Sequence, residues 1–264
     1  MATIHQTAIV EDSVTLGRNV QIGPFCCVTG AVTLGDNVVL ESHVVVTGNT
    51  QIGSETHIYP FASIGHVPQD LKFENENVTL EIGSRNRIRE HVTMNPGTKG
   101  GGGVTRVGND GLFMMGSHVA HDCMVGDHVI LANNATLGGH VELGDYAILG
   151  GLVGVHQFCR IGAHAFVGAG GLIVEDVIPF GTATGNRAVL SGLNLVGMKR
   201  RDFPRDEINA LRAAYKDLFF CQEESLAARM ENVADAYPDS ETVQAVIAFM
   251  RQDNSRGFCA PSRS

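Results

Sequence analysis

The chain has 264 residues, a formal net charge of −9, 32 Gly, no Trp and only 6% aromatic residues. Length and apolar content are ample for a core, while the acidity argues against broad nucleic-acid binding, so a polyanionic ligand would need a local cationic cluster. No apolar run approaches the roughly 20 residues of a membrane span, which excludes an integral segment, and MATIHQTAIVEDS carries no signal-peptide pattern. The six cysteines (Cys26, Cys27, Cys123, Cys159, Cys221, Cys259) form no C-x-x-C pair, which predicts reduced structural thiols and a cytoplasmic location.

From Val10 an apolar residue recurs every sixth position without a slip to Ile64, again from Ile82 to Met94, and again from Val107 through Phe113 to Ile173. Gly follows many of them, as in Leu16-Gly17, Ile52-Gly53, Val125-Gly126 and Ile161-Gly162. This is a hexapeptide repeat, and it predicts a parallel β-helix: three hexads make one triangular coil, each apolar residue points into a narrow prism, and the glycine relieves the backbone at the corner. An ordinary β-sandwich gives no reason for one phase to survive twelve hexads from Val107 to Ile173. The shortage of large rings suits so thin a prism.

The beat breaks twice. Residues 65–81 (GHVPQDLKFENENVTLE) keep the phase but hold Pro68, Gln69, Asp70, Lys72 and Asn75, poor prism residues, and read as a loop projecting from the wall. Residues 95–106 (NPGTKGGGGVTR) shift the phase by one, and Gly100 to Gly103 predict a second, flexible loop that lacks the Lys-Ser/Thr of a phosphate-binding P-loop. The β-helix is expected over 1–190 and a helical domain over 191–264, with a helix starting after Pro204 and two more near 223–236 and 240–252. A solenoid needs a capped end, which such a domain supplies.

Because a coil is eighteen residues, His121, Gly139 and Gln157 form one column and Asp122 and His140 the next, with His118 and His156 nearby. An imidazole with an ordinary pKa near 6.5 can take a proton from a hydroxyl, and a neighbouring carboxylate can hold its tautomer. His121 and Asp122 suit that pairing if a corner separates them, since strand neighbours face opposite ways. Gly139 would leave a backbone N–H free to stabilise an oxyanion. No G-x-S-x-G elbow supports a serine nucleophile, and Cys123 fits a buried thiol. Three histidines could instead bind zinc in a lyase of the carbonic-anhydrase type, and a non-enzymatic scaffold is the third alternative. Lys199-Arg200-Arg201 is the local cationic run that an acidic chain needs for a diphosphate or an acidic carrier protein.

IGPFC (22–26), QDLKF (69–73), IGSRNRIRE (82–90), AHDCMVG (120–126), ILANNATLGGHVELGD (130–145), VHQFCRIGAH (155–164) and NLVGMKRRDF (194–203) strongly resemble the UDP-N-acetylglucosamine O-acyltransferase family that begins lipid A synthesis. The resemblance spans essentially the whole chain. It implies a left-handed β-helix, a homotrimer with sites between subunits, no metal or cofactor, and transfer of an R-3-hydroxyacyl chain from acyl carrier protein to the glucosamine 3-OH without an acyl-enzyme. By the same resemblance His121 is the general base, Asp122 orients it and the Gly139 N–H stabilises the tetrahedral intermediate. Gln69, Asp70 and Lys72 fall near sugar and acyl chain, and His118, His140 and Gln157 around sugar and diphosphate. Asn194, Arg200 and Arg201 fall near nucleotide or phosphopantetheine, and Ala169 limits acyl length, its small size favouring a medium-to-long chain. The sequence departs from the family at Val196, where many members have Glu, and at Met94-Asn95-Pro96-Gly97, where Ile-His-Arg-Gly is more usual. A 3-amino UDP-sugar is the alternative acceptor.

Overall fold

The computed structural model describes residues 1–221, 224–252 and 255–262. Its body is the expected left-handed parallel β-helix: strands mostly two residues long stack into three sheets of eleven, nine and eight strands, here called walls A, B and C. Within one coil the chain passes from wall A to B to C, as in Leu112–Phe113, His118–Val119 and Met124–Val125. Successive coils pair in parallel register eighteen residues apart, Ile130 with Ile148 and Met124 with Glu142. All twelve hexad residues from Val107 to Ile173 are buried.

The corners make this winding possible. Phe25, Asp122, His140 and Tyr146 hold φ near +60°, a left-handed conformation that costs a non-glycine residue roughly 1–2 kcal/mol. In return the residue turns its N–H back toward the preceding coil: His140 N–H donates to the His121 carbonyl at 3.0 Å, and Tyr146 N–H to the Asp127 carbonyl at 2.8 Å. Glycine after the hexad residue serves close approach. A Cβ on Gly53 would lie 2.5 Å from the Gly83 carbonyl carbon in the next coil.

Both interruptions are insertions, and they are shorter than the sequence suggests. Ile52 pairs with Ile82 thirty residues on, yet Thr79–Ile82 is already wall-C strand, so the first loop ends before Thr79 rather than at 81. Ile82 pairs with Val107 twenty-five residues on, and Val104–Val107 is again strand. Gly100 to Gly103 form no strand, as expected of a loop, and the loop carries a 3₁₀ turn at Lys99–Gly101, closed by the Gly101 and Gly103 N–H groups donating to the Thr98 carbonyl.

Beyond the last coil, Gly181–Thr184 and Val189–Leu193 form an antiparallel hairpin. Among the described residues four helices follow: α1 (Leu195–Arg200), α2 (Arg205–Phe220), α3 (Leu226–Ala236) and α4 (Glu241–Arg251). The short helix α1, a turn and a half, has no counterpart among the helices expected from the sequence. The apolar stripe of α2 buries Ile208, Leu211, Ala214 and Leu218. Glu207 in its first turn accepts from Ser240 Oγ, Thr242 N and Thr242 Oγ1, which locks the start of α4 to α2. Arg160 in wall C donates to Asp176 at 2.7 Å and to Gln252 at 2.8 Å, fastening the end of α4 to the solenoid.

One large ring does enter the thin prism. Phe113 is fully buried, and Gly111 makes room for it: a Cβ there would lie 2.7 Å from the ring and 2.8 Å from Asn86 Oδ1. Overpacking of this kind costs about 1–3 kcal/mol. Gly111→Ala should therefore lower the thermal midpoint, and adding Phe113→Leu should recover part of the loss. Independent additive losses in the double variant would refute this coupling.

Candidate active site

The corner between walls B and C gathers most of the predicted polar residues. Both insertions leave the solenoid there, after Ser63–Ile64 and after Thr93–Met94, in two successive coils. The next three turns of the same corner carry His121-Asp122, Gly139-His140 and Gln157-Phe158. Neighbours in sequence, His121 and Asp122 meet because Asp122 occupies the left-handed corner position: His121 Nδ1 lies 2.8 Å from Asp122 Oδ2. The Asp122 side chain is wholly buried, whereas that of His121 keeps 13% of its surface exposed.

Gly139 lies directly against the His121 ring; a Cβ on it would stand 2.6 Å from Nε2. Its N–H has no acceptor among the described residues. His140 stacks on Phe158 with centroids 4.3 Å apart, meets the His121 ring edge-on at 5.2 Å, and places Nε2 3.7 Å from Asp122 Oδ2. Burial pushes His140 below the usual imidazole value, against the pull of Asp122 and of Asp70, which brings Asp70 of the first loop within electrostatic reach of this corner. His118 projects outward from wall B, its Nδ1 2.7 Å from Thr93 Oγ1, and burial lowers its pKa as well. Gln69 and Lys72 are exposed on the loop, and the Lys72 N–H donates to the Asp70 carboxylate. Gln157 and His156 are exposed, with Arg256 donating to the Gln157 carbonyl at 2.9 Å. Asn95 clamps the base of the first loop through the carbonyls of His66 and Val67.

Cys123 is a buried thiol. Its Sγ donates to the Gly138 carbonyl at 3.2 Å, and burial pushes its pKa up to about 12, the opposite of what a thiolate nucleophile requires.

The remaining predicted residues stand elsewhere on the same chain. Asn194 caps α1 beside the corner between walls C and A, accepting from the Gly197 N–H and donating to the His164 carbonyl. Together with Ile148, Phe166, Val196, Arg200 and Arg201 it lines a cleft of about 580 Å³ on wall A. Arg201 lies over the Tyr146 ring and donates to its carbonyl, whereas Arg200 is exposed and has no partner among the described residues. Ala169 is exposed at the third corner, between walls A and B. Residues expected in one site are thus spread over three corners of the chain.

Sequence reasoning missed Thr98, Thr105 and Arg256. Thr98 donates its N–H to Asp122 Oδ1 at 2.8 Å and its hydroxyl to Oδ2 at 2.7 Å, and Thr105 Oγ1 accepts the Asp122 N–H at 2.7 Å. The signal was a thirteen-residue gap between Met94 and Val107, which fixes an insertion but not its contacts.

Comparisons with known proteins decide the family. Residues 176–259 match the second-domain model of UDP N-acetylglucosamine O-acyltransferase, and residues 13–48 match the bacterial transferase hexapeptide model. The acyl-carrier-protein-dependent UDP-N-acetylglucosamine O-acyltransferase of Rhizobium johnstonii is 47% identical over 99% of this chain and 96% of its own. The enzyme of that name from Paracoccus denitrificans is 54% identical over 77% of each. The chain belongs to this family. It is an O-acyltransferase, and solved structures agree over nearly its full length. The LpxA structure from Acinetobacter baumannii superposes with a TM-score of 0.93 at 41% identity, covering 97% of this chain and 98% of that one. The Francisella novicida UDP-N-acetylglucosamine acyltransferase gives 0.95 at 34% identity, covering 99% and 95%.

At the corner between walls C and A of the enzyme, His164 is stacked between Tyr146 and Phe180 with Phe203 edge-on, and burial with nearby Arg201 pushes its pKa down to about 4. The native state therefore holds a neutral ring while the unfolded chain takes up a proton near pH 6.5. Stability should fall as pH drops from about 6.5 toward 4, because the unfolded state binds the extra proton. His164→Phe should lose less over that window than the wild type when thermal midpoints are compared. Parallel pH curves would refute the assignment.

Proposed function

We infer that the enzyme transfers an R-3-hydroxyacyl chain from acyl carrier protein to the 3-OH of UDP-N-acetylglucosamine by direct attack, the first step of lipid A biosynthesis. The observation that carries this reading is the His121–Asp122 pair packed on Gly139. With the Nδ1 proton held by Asp122, Nε2 is the basic nitrogen and takes the proton of the sugar 3-OH. The sugar oxygen attacks the thioester carbonyl carbon, and the Gly139 N–H receives the oxyanion. Collapse breaks the C–S bond, and the departing phosphopantetheine thiolate takes the proton back from the His121 imidazolium. Nothing in this sequence needs an enzyme nucleophile, consistent with the buried, high-pKa Cys123.

His118, His140 and Gln157 on the same corner are suited to the sugar and its diphosphate, and Gln69, Asp70 and Lys72 approach from the first loop. Asn194, Arg200, Arg201 and Ala169 sit on other corners, which one subunit cannot bring to His121. A homotrimer would do so, with the corner between walls B and C of one subunit facing the wall-A cleft of its neighbour. In that arrangement Arg200 is the free cation for a phosphate, Asn194 shapes the cleft as a helix cap, and Ala169 leaves the acyl path open for a medium-to-long chain. The exposed Val196 in that cleft offers no polar contact to the nucleotide.

A metal reading has one observation behind it: donor atoms of His121, Asp122 and His140 lie within 4.8 Å of one another. Against it, the Asp122 oxygens already accept from Thr98 N, Thr98 Oγ1 and His121 Nδ1.

His121→Ala should lose at least ~10²-fold in turnover as a folded protein, since positioned general bases contribute about 10²–10⁴. Chelator-treated wild type should keep its rate. The assay is product mass from UDP-N-acetylglucosamine with carrier proteins bearing R-3-hydroxyacyl chains of several lengths; near-normal turnover of His121→Ala, or activity restored only by zinc, would overturn the mechanism. A second expectation concerns assembly. His121→Ala and Arg200→Ala are each impaired alone, and co-refolding them should recover activity, because some interfaces then pair two intact halves. No recovery from mixed oligomers would place the site within one subunit.

A further inference from the structure

Asp122 is a carboxylate with no solvent exposure of its side chain, at a corner where its backbone is left-handed. A buried carboxylate needs its lone pairs satisfied, and one residue of the second loop does most of this. Thr98 reaches both oxygens at once, Oδ1 through its N–H and Oδ2 through its hydroxyl, while Oδ2 also accepts from His121 Nδ1. Two bonds from one residue fix the carboxylate plane so that Oδ2 faces the imidazole.

The loop is built around this contact. Thr98 precedes the Lys99–Gly101 turn, yet its hydroxyl does not cap that turn; it is spent on Asp122. The Thr98 carbonyl is tied by Gly101 and Gly103 N–H. Gly101 must be glycine for the turn to sit there, because a Cβ would collide with the Asp122 carboxylate. Thr98 itself is buried.

We propose that Thr98 is a positioning residue for the acyl transfer: its hydroxyl orients Asp122 toward His121 and restrains the basicity of that pair. This rests on the reading of His121 as the base. Removing a donor from Oδ2 leaves more negative charge facing the imidazole, which favours imidazolium and raises the pH at which His121 becomes an active base. The other titratable groups around His121 are His140 and His118, with Asp70 of the first loop acting on His140 in turn; none of them shares a hydrogen bond with Thr98.

The test compares Thr98→Val, which keeps the N–H bond and the shape, with Thr98→Ser, which keeps the hydroxyl, using UDP-N-acetylglucosamine and R-3-hydroxyacyl carrier protein. Loss of one hydrogen bond to a charged group predicts a fall in kcat of roughly 10-fold with KM changed by no more than about twofold. The acidic limb of the kcat profile should move to higher pH, and Thr98→Ser should return most of the turnover and the wild-type limb. Gly101→Ala, which presses on the same carboxylate, should move the limb as well. A Thr98→Val protein with the wild-type limb and rate would overturn the proposal, as would a Thr98→Val chain that fails to fold, since that makes the contact a folding requirement. A wild-type enzyme that transfers no acyl group would instead overturn the function inferred above, a result read separately in the same assay.

Discussion

Parallel in-register stacking decides which residues of this chain can meet. A side chain at a corner sees the residue one coil before and one coil after, eighteen positions away, or twenty-five or thirty where a loop intervenes. The prism cannot bend to bring distant corners together, since its interior is close-packed and each coil is bonded to both neighbours. Chemistry therefore has to be assembled along a column. His121, Gly139 and Gln157 follow that rule, and Asp122, His140 and Phe158 form the adjoining column on the left-handed position.

The same rigidity explains where irregular chain is allowed. An insertion inside a strand would break a ladder on two sides, whereas one at a corner only lengthens a turn. Both loops use the corner between walls B and C, in the two coils just before His121. One hangs over the site from outside, with Asp70 acting on His140, and the other folds inward onto Asp122. At Asp122 the coils themselves supply only the His121 ring to the buried carboxylate, and the loop brings the remaining donors through Thr98.

The periodic part of the fold was legible because every hexad residue faces the same environment. Val107 to Ile173 read as one run and are buried as one run. The second inward position, two residues before each hexad residue, was not read. It tolerates Val, Cys, Ala, Thr and Asn, so it has no constant signature, yet Val129, Cys123, Ala135, Thr56 and Asn86 are all fully buried there. Asn86 shows why a polar residue is admitted: its amide donates to the Gly83 and Gly108 carbonyls and accepts the Gly111 N–H, replacing a ladder that corners cannot form. Phe113 broke the expectation of a ring-free prism because the space came from a glycine two residues away, a compensation that composition alone does not reveal.

For the site, column arithmetic found the pairing partners, and the corner that lets His121 meet Asp122 was a condition the sequence could state but not verify. What it could not supply was contact between non-periodic segments. Thr98 is twenty-four residues from Asp122, a spacing set by the length of its own loop, and no repeat predicts it. The cationic run shows the complementary limit: Arg200 and Arg201 are adjacent in sequence, yet Arg201 is engaged with Tyr146 and the Arg200 side chain has no partner among the described residues. Counting them as one patch overstates the charge available to a phosphate. Arg201 holds the helical region against the corner, and Arg200 is left exposed.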